Sequence, residues 1–255
     1  MLKKVSIFSV VSLLLIGCGG SGGSYANGGG GGGGSTAGQA QGAYSGTSSN
    51  GYTFETIVLP NDKFYATYGT VSGNVFLIYG MITGQGTSGS STYSASVTDF
   101  FHTGTTNSGS ITATYAPGSS LNGTLTENGT NITFTGASLA ASTFNFNTQA
   151  SLSAISGTWT GSLMDGTAAT VTISSNGNVG GSSSGCSFSG TVVADSSNKN
   201  FFDVSLTFGG SPCSLPNQTA SGIGVDYLLS DGVTHQLLAA VTVGSSAGTV
   251  FVAQR

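Results

Sequence analysis

The stretch FDVSLTF, residues 202–208, alternates apolar and polar side chains with a period of two. In an extended strand successive side chains point to opposite faces, so the four apolar residues share one face and the three polar residues share the other. The stretches NITFT at 131–135 and TVTIS at 170–174 repeat this alternation. Because β-branched and aromatic residues are favoured in strands, these stretches predict half-buried β-strands.

Turn dipeptides separate the alternating stretches along the chain. Asn-Gly and Asp-Gly pairs supply the positive φ angles that two-residue hairpins need. The turn dipeptides are Asn61-Asp62 and the Asn-Gly and Asp-Gly pairs Asn128-Gly129, Asp165-Gly166, Asn176-Gly177 and Asp231-Gly232. Short strands separated in this way predict an all-β, antiparallel fold, either a sandwich or an up-and-down barrel. A transmembrane barrel is a structural rival, but it needs strands of about 9–11 residues, and most of those expected here look shorter.

A faint internal repeat divides the chain into two β-modules, residues 43–150 and 151–255. Three pairs of segments follow in the same order in both halves. They are Gly42–Gly46 with Gly157–Gly161, Gly73–Phe76 with Gly185–Phe188, and Leu121–Gly123 with Ala220–Gly222. The repeat therefore predicts two tandem barrel or sandwich modules, although a chain rich in Gly, Ser and Thr also produces such matches by coincidence.

The N-terminus carries an export pattern that ends at Cys18. Lys3 and Lys4 precede an apolar run from Val5 to Ile16, which is too short to span a bilayer. Leu15-Ile16-Gly17-Cys18 resembles the lipobox of bacterial lipoproteins. That resemblance implies that residues 1–17 are a cleaved signal peptide and that Cys18 receives a diacylglycerol and an acyl group. An ordinary secreted protein with a cysteine near its cleavage site is the alternative.

Residues 18–42 predict a lipidated, disordered tether. Seven consecutive glycines, Gly28–Gly34, lie within it, and it lacks large aliphatic residues. Such a segment buries too little apolar surface to offset the entropy of ordering. In the lipoprotein family, Gly19 in place of Asp favours transfer to the outer membrane. We therefore expect a lipid-anchored outer-membrane protein, with the membrane as partner through its acyl chains.

Charge and cysteine content narrow the function classes. Charged residues are 5% of the chain and the net charge is −4, so no basic patch exists and nucleic acid is excluded as a partner. With Cys18 lipidated, Cys186 and Cys213 remain as an even pair that predicts a disulfide in an oxidising compartment. Two buried free thiols are the alternative. We expect no metal and no cofactor, because no histidine or third cysteine lies near this pair.

Catalytic motifs occur only as isolated fragments. Gly84–Gly89 fits a dinucleotide-binding pattern and Gly181–Gly185 fits a nucleophile elbow, but each motif needs a following helix that this sequence does not predict. His102 and His235 are the only histidines, and solvated loop positions are the common state of such residues. Asp226 and Asp231 lie five residues apart, with nothing to specify a cleft. We therefore predict a non-enzymatic protein, while a Ser/His/Asp arrangement remains an open alternative.

Tyrosines concentrate in the first module, and we take Tyr65, Tyr68 and Tyr79 as a candidate binding surface. Tyrosine combines apolar area with a polar tip, which suits interfaces. Packing of such residues against cross-strand neighbours is the alternative. If one module binds a partner, we expect it to be the first.

Two further resemblances concern the modules. Gly157-Thr158-Trp159 resembles the Gly-x-Trp that opens the first strand of lipocalins. Val97–Phe100 and Ala247–Arg255 are similar to the barrel domains of transferrin-binding-protein-B-like and factor-H-binding surface lipoproteins, which implies eight-stranded barrels and an extracellular or envelope protein partner. The predicted function is a binding, adhesive or envelope-structural role, with a lipocalin-like carrier of a small apolar ligand as the alternative.

Overall fold

A computed structural model describes residues 39–72, 75–229 and 231–255 of the chain. The predicted signal peptide, the lipidation site at Cys18 and most of the predicted tether lie outside the described residues. Within the described residues the fold is nearly all β, as predicted, and consists of two closed antiparallel barrels of eight strands each.

Each barrel is an up-and-down meander in which consecutive strands pair. The first barrel contains β1 Gly42–Ser48, β2 Thr53–Val58, β3 Lys63–Ser72, β4 Val75–Ser88, β5 Thr92–Phe101, β6 Thr106–Ala116, β7 Ser120–Glu127 and β8 Thr130–Ser138. A short helix, α1 Leu152–Ile155, precedes the second barrel. That barrel contains β9 Gly157–Leu163, β10 Ala168–Ile173, β11 Asn178–Ser183, β12 Cys186–Ala194, β13 Phe202–Phe208, β14 Thr219–Leu228, β15 His235–Val243 and β16 Ala247–Gln254.

Closure distinguishes these barrels from the sandwich that the sequence left open. β1 pairs with β8 through Tyr44 and Ser138, and β9 pairs with β16 through Gly161 and Ala253. Closing a sheet on itself removes its edges, so no unpaired strand edge remains in either sheet as the structure describes them.

The predicted turn dipeptides lie at hairpin turns, but their geometry is not uniform. Asn128 and Gly129 both have positive φ, 49° and 77°, as a two-residue turn requires. At Asp165-Gly166 and Asn176-Gly177 only the glycine has positive φ. The amide of Leu163 there bonds the carbonyl of Thr167, which makes a three-residue loop. The amides of Ser174, Leu59 and Leu229 likewise bond the carbonyls of Asn178, Lys63 and Thr234. The expectation of a two-residue hairpin is therefore wrong at every one of these dipeptides except Asn128-Gly129.

The first pair of repeat segments is equivalent in space. Tyr44 and Trp159 are fully buried on the first strand of their barrels. The Tyr44 hydroxyl donates to the carbonyl of Ala40 at 3.0 Å, and Trp159 Nε1 donates to the carbonyl of Ile155 at 2.7 Å. Each ring therefore closes the end of its barrel at which the chain enters.

The other two pairs of repeat segments differ in outcome. Gly73–Phe76 and Gly185–Phe188 both lead into the fourth strand of a barrel, although residues 73 and 74 are not described. Leu121–Gly123 lies in β7, the seventh strand of its barrel, whereas Ala220–Gly222 lies in β14, the sixth strand of the other. The third correspondence is therefore wrong by one strand, because a chain rich in Gly, Ser and Thr produces such short matches by coincidence.

Arg255 completes the closed end of the second barrel. Its guanidinium carbon lies 4.1 Å from the centroid of the Trp159 ring. Its two terminal nitrogens donate to the carbonyls of Ser156 and Ala154 at 2.7 and 2.6 Å. The cation therefore satisfies carbonyls at the end of α1 that have no helical partner. In the first barrel the last strand ends at Ser138, which pairs with Tyr44 and carries no charge.

The two barrels pack against each other through a shared apolar cluster. Met81 and Phe100 of the first barrel join Val225 and Val250 of the second, all almost fully buried. Phe144, from the segment between the barrels, packs at 4.8 Å from the Tyr227 ring. Each barrel also has an apolar core of its own, so the barrels have separate interiors and one common interface.

Candidate ligand cavity in the first barrel

The interior of the first barrel contains a cavity of about 660 Å³. Its mouth lies between the β1–β2, β5–β6 and β7–β8 loops, where Asn50, His102 and Asn128 line it. Cavities of about 300–1,000 Å³ are typical of small-molecule sites. An eight-stranded barrel is just wide enough for such a space when inward side chains are small.

Inward glycines make room for aromatic rings inside this barrel. A Cβ on Gly80 would lie 2.2 Å from the Tyr68 hydroxyl, and one on Gly86 would lie 2.2 Å from the Tyr93 hydroxyl. Each ring therefore lies across a position where the neighbouring strand has no side chain. The glycines thus set where the tyrosine hydroxyls end.

The end of the first barrel opposite the mouth is closed by hydrogen-bonded polar groups. The Tyr93 hydroxyl donates to the carbonyl of Asp62 at 2.6 Å, and the Ser88 hydroxyl donates to the Asp62 carboxylate at 2.5 Å. The Tyr115 hydroxyl donates to the carbonyl of Gly89 at 2.5 Å. A ligand therefore reaches the cavity through the mouth, at the end that carries the β1–β2, β5–β6 and β7–β8 loops.

The deeper wall of the cavity is apolar and aromatic. Phe54 and Phe134 meet edge to face at 5.6 Å, and Phe64 meets Tyr93 at 6.2 Å. The other apolar residues of this wall are Val58, Ile82, Ile111, Leu121, Leu125 and Ile132. This part of the cavity suits an alkyl or aryl group, because burial of apolar surface is favourable.

Tyrosines line the cavity near its mouth. The Tyr52 ring lies 5.6 Å from the Tyr68 ring and 5.6 Å from the Tyr79 ring. The Tyr79 ring in turn lies 5.7 Å from the His102 ring. The Thr70 hydroxyl donates to the Tyr79 hydroxyl at 3.0 Å. The four rings therefore form a connected aromatic surface around the entrance.

A β-bulge places Tyr79 in this group. Tyr68 pairs with Gly80 and Gly69 pairs with Ile78, so Tyr79 is an extra residue on β4. A bulge breaks the strict alternation of faces and redirects a side chain. Met81, which has the same parity as Tyr79, packs in the interface between the barrels, whereas Tyr79 lines the cavity.

Two carboxyl groups lie among these aromatic residues on the inward faces of β5 and β7. Asp99 is 3% exposed and accepts from the Tyr68 hydroxyl at 2.8 and 3.0 Å. Burial raises the pKa of Asp99 to about 7, the Tyr68 hydrogen bond opposes that rise, and the Glu127 charge adds to it. Burial likewise raises the pKa of Glu127. Both groups are therefore poorly solvated acids that a donor or a cation would stabilise as carboxylates.

The structure separates the three tyrosines of the predicted binding surface. Tyr68 and Tyr79 line the cavity together. Tyr65 is 5% exposed and belongs to the cluster between the barrels, where Lys63 Nζ lies 5.0 Å from the centroid of its ring. The spacing of three residues explains this separation, because side chains an odd number of residues apart on a strand point to opposite faces.

Sequence reasoning missed Tyr52, Asp99 and Glu127 as members of the site. One signal was available, because Asp99 continues the inward series Tyr93, Ala95, Val97 and Glu127 ends the inward series Leu121, Gly123, Leu125. An acidic residue on an otherwise apolar strand face is unusual, because Asp and Glu are seldom buried without a partner, and it indicates a functional position. That the two series lie two strands apart in one closed barrel is information from the tertiary structure.

The second barrel also contains a cavity, of about 480 Å³, and residues Phe101 to Gly104 of the first barrel, at the end of β5 and in the β5–β6 loop, contribute to its lining. Pro212 and Leu215 lie at its mouth, in the loop that joins β13 to β14. The disulfide between Cys186 and Cys213, predicted from the cysteine count, ties this loop to β12, with a Cα–Cα distance of 4.5 Å. The second cavity is thus partly covered by a loop that a covalent bond holds in place.

The remaining sequence motifs lie in ordinary strands and turns. Gly84 to Ser88 belong to β4, and Gly181 to Gly185 form a β11–β12 hairpin, so neither segment precedes a helix. Of the carboxylates considered in the sequence, Asp226 bonds His235 Nδ1 at 2.8 Å at the closed end of the second barrel. Asp231 instead caps its own turn through Val233 and Thr234.

Residues 39–72, 75–229 and 231–255 contain no group of three His, Cys, Asp or Glu side chains placed to hold a metal ion. The same part of the chain contains no helix with the length and apolar character that a membrane crossing requires.

Comparison of the chain with protein-family models, with curated proteins and with solved structures found no match. The class of protein therefore follows from the fold and the cavity alone, as a tandem pair of eight-stranded antiparallel barrels with a ligand-sized cavity in each.

Proposed function

We propose that this protein is a non-enzymatic, lipid-anchored outer-membrane lipoprotein whose first barrel holds a small amphipathic molecule. The observation that carries the proposal is the 660 Å³ cavity with an apolar inner wall and a polar, aromatic mouth. A ligand with an apolar body and a polar end matches that division. Of the two functions expected from the sequence, the lipocalin-like carrier is therefore the one that the geometry favours.

The anchoring half of the proposal rests on Leu15-Ile16-Gly17-Cys18. Acyl chains on Cys18 would contribute about 0.8 kcal/mol for each buried CH₂. In a Gram-negative host, globomycin should leave an uncleaved precursor of higher mass. A Cys18→Ala variant should be extracted in buffer without detergent. A mature product whose cysteine carries no lipid would contradict the anchoring. An extracellular or envelope protein partner remains a prediction from the resemblance to surface lipoproteins.

The binding half of the proposal can be tested by filling one cavity at a time. Ala66 lines the cavity of the first barrel and Ala239 lines that of the second. Calorimetric titration with short-chain amphiphiles should show binding that Ala66→Phe abolishes and Ala239→Phe retains. Overpacking costs about 1–3 kcal/mol, so both variants need a thermal-unfolding control.

Two outcomes would count against cavity binding. A folded wild-type protein that binds no amphiphile of any charge would reject it. Equal loss of binding in the two filled variants would also reject the assignment to the first barrel. Native mass spectrometry of protein purified from its own envelope provides an independent measurement, because a bound carrier ligand should leave with the chain as an added mass.

A further inference from the structure

Two carboxyl groups, and no lysine or arginine, line the first cavity in the described part of the chain. Asp99 and Glu127 are 3% and 8% exposed and lie on β5 and β7, on either side of β6. The β6 residue paired with Glu127 is Gly109, and a Cβ there would lie 2.6 Å from Glu127 Cγ. The Glu127 side chain therefore extends over the glycine of β6, toward the strand that carries Asp99.

The basic residues of the described part of the chain lie elsewhere. Lys63 Nζ is near the Tyr65 ring, outside the first barrel. Lys199 Nζ bonds Asn147 Oδ1 at 2.8 Å, and Arg255 covers Trp159 in the second barrel. His102 is the only potential cation among the cavity-lining residues described, and its Nδ1 lies 3.0 Å from the Tyr79 carbonyl. The first cavity therefore disfavours an anionic ligand and favours a cationic one.

One oxygen of Glu127 has an unused hydrogen-bonding capacity. Glu127 Oε1 is buried and has no hydrogen-bond partner among the described residues. A buried acceptor without a donor is unfavourable, and such atoms call for an explanation. The Tyr68 hydroxyl is already bonded to Asp99. A donor for Glu127 would therefore have to come from a molecule within the cavity.

The aromatic residues at the mouth add a second attraction for a cation. The rings of Tyr52, Tyr68 and Tyr79 line the cavity, with Tyr52 in contact with the other two. The face of an aromatic ring carries negative charge density, so ammonium groups bind favourably over it, and more strongly when water is excluded. Aromatic rings beside buried carboxylates thus provide two independent contributions at one position.

From this arrangement we infer that the first cavity binds an amphipathic amine. The protonated amino group donates to Glu127 and lies near Asp99 and the tyrosine rings, and the apolar body occupies the inner wall. The inference rests on the proposed function and specifies its ligand class. An amine with N–H groups is favoured over a quaternary ammonium, because Glu127 Oε1 requires a donor.

The test compares ligands that share one alkyl chain and differ in head group. Octylamine, octanol and octanoate are titrated calorimetrically into the folded full-length mature protein at about pH 8, where an alkylamine with an ordinary pKa near 10.4 is protonated and Asp99, with a pKa of about 7, is largely ionised. Octylammonium should bind about tenfold more tightly than octanol. Octanoate should bind most weakly, and octyltrimethylammonium should bind less tightly than octylammonium.

Matched variants locate the effect. Asp99→Asn and Glu127→Gln keep size and hydrogen-bonding capacity but remove charge, and should reduce the preference for octylammonium over octanol while octanol binding persists. Asp203→Asn, at an exposed carboxyl on β13 that lines neither cavity, is the control and should change nothing. If a cavity variant fails to fold, the wild-type ligand series decides the question.

The possible failures are distinguishable. Equal affinity for octylammonium and octanol, or unchanged selectivity in the folded Asp99→Asn and Glu127→Gln variants, would overturn the amine inference and leave cavity binding intact. Absence of binding for every head group would instead reject the proposed function.

Discussion

The hydroxyl of Tyr68 lies 2.8 Å from Oδ2 and 3.0 Å from Oδ1 of Asp99, inside the first barrel and 31 residues away along the chain. This contact joins β3 to β5 across the intervening strand β4, where Gly80 leaves space for the phenol ring. It is the only protein donor to the Asp99 carboxyl among the side-chain hydrogen bonds of the described residues. The contact therefore controls both the position and the acidity of Asp99.

Removal of that donor should raise the pKa of Asp99 further. Tyr68→Phe keeps the ring and deletes the hydroxyl whose hydrogen bond lowers the pKa of Asp99. A hydrogen bond to a charged group contributes about 1.5–3 kcal/mol, so the variant should be destabilised by that order at about pH 8 and by less at about pH 5. Urea unfolding at the two pH values measures the difference. Equal destabilisation at both would contradict the assignment.

The free energy of unfolding should depend on pH in a defined window. The pKa of Asp99 is raised to about 7 in the folded protein, above an unfolded value of about 3.9. The folded state thus binds more protons between these values, and stability falls as pH rises from about 4 to about 7. Each unit by which the folded and unfolded pKa values of Asp99 differ changes the free energy of unfolding by about 1.4 kcal/mol across this window.

Other buried carboxyl groups contribute to the same fall in the free energy of unfolding with pH. Glu127, which lines the cavity with Asp99, and Glu55 are two of them. Burial raises the pKa of Glu127, and burial raises the pKa of Glu55, at the outer face of β2, to about 7. Urea unfolding from pH 4 to pH 8 should show a decline that Asp99→Asn makes shallower and Asp165→Asn leaves unchanged. A rise in stability over this range would refute the prediction.

Loss of the disulfide should destabilise the second barrel. Cys186 and Cys213 are separated by 27 residues, and closing a loop of that length stabilises by about 3.5 kcal/mol on the chain-entropy model. Cys186→Ser with Cys213→Ser should therefore lower the urea midpoint, as should reduction of the wild-type protein. Reductant should leave the double variant unaffected, and any further decrease there would point to another cause.

The interface between the barrels should depend on Phe144. Its ring packs against Tyr227 at 4.8 Å within the cluster that both barrels share. Phe144→Ala should cost about 3–5 kcal/mol and reduce the coupling between the barrels, so that unfolding followed by Trp159 fluorescence and by far-ultraviolet circular dichroism should separate into two transitions. Leu77→Ala, at an exposed position on β4, is the control. A single unchanged transition would contradict this role for Phe144.

Part of the candidate site could be predicted from local pattern. The concentration of tyrosines in the first module indicates Tyr65, Tyr68 and Tyr79 alike as candidate binding residues. Tyr68 and Tyr79 line the cavity, whereas Tyr65 points outward into the interface between the barrels. Period-two alternation says which residues share a face, but both faces of β3 are buried, one in the barrel and one between the barrels. Hydropathy therefore could not distinguish an inward tyrosine from an interface tyrosine.

The sequence by itself determined the strands, the turns at Asn128-Gly129 and its relatives, the two tandem modules and the pairing of Cys186 with Cys213. These features depend on local alternation, on backbone preferences of Gly, Asn and Asp, and on cysteine number. Closure into barrels, the bulge at Tyr79 and the approach of Glu127 to Asp99 were decided only by the tertiary structure. Each depends on register between strands that are distant in sequence, and register follows from the simultaneous packing of all eight strands around one interior.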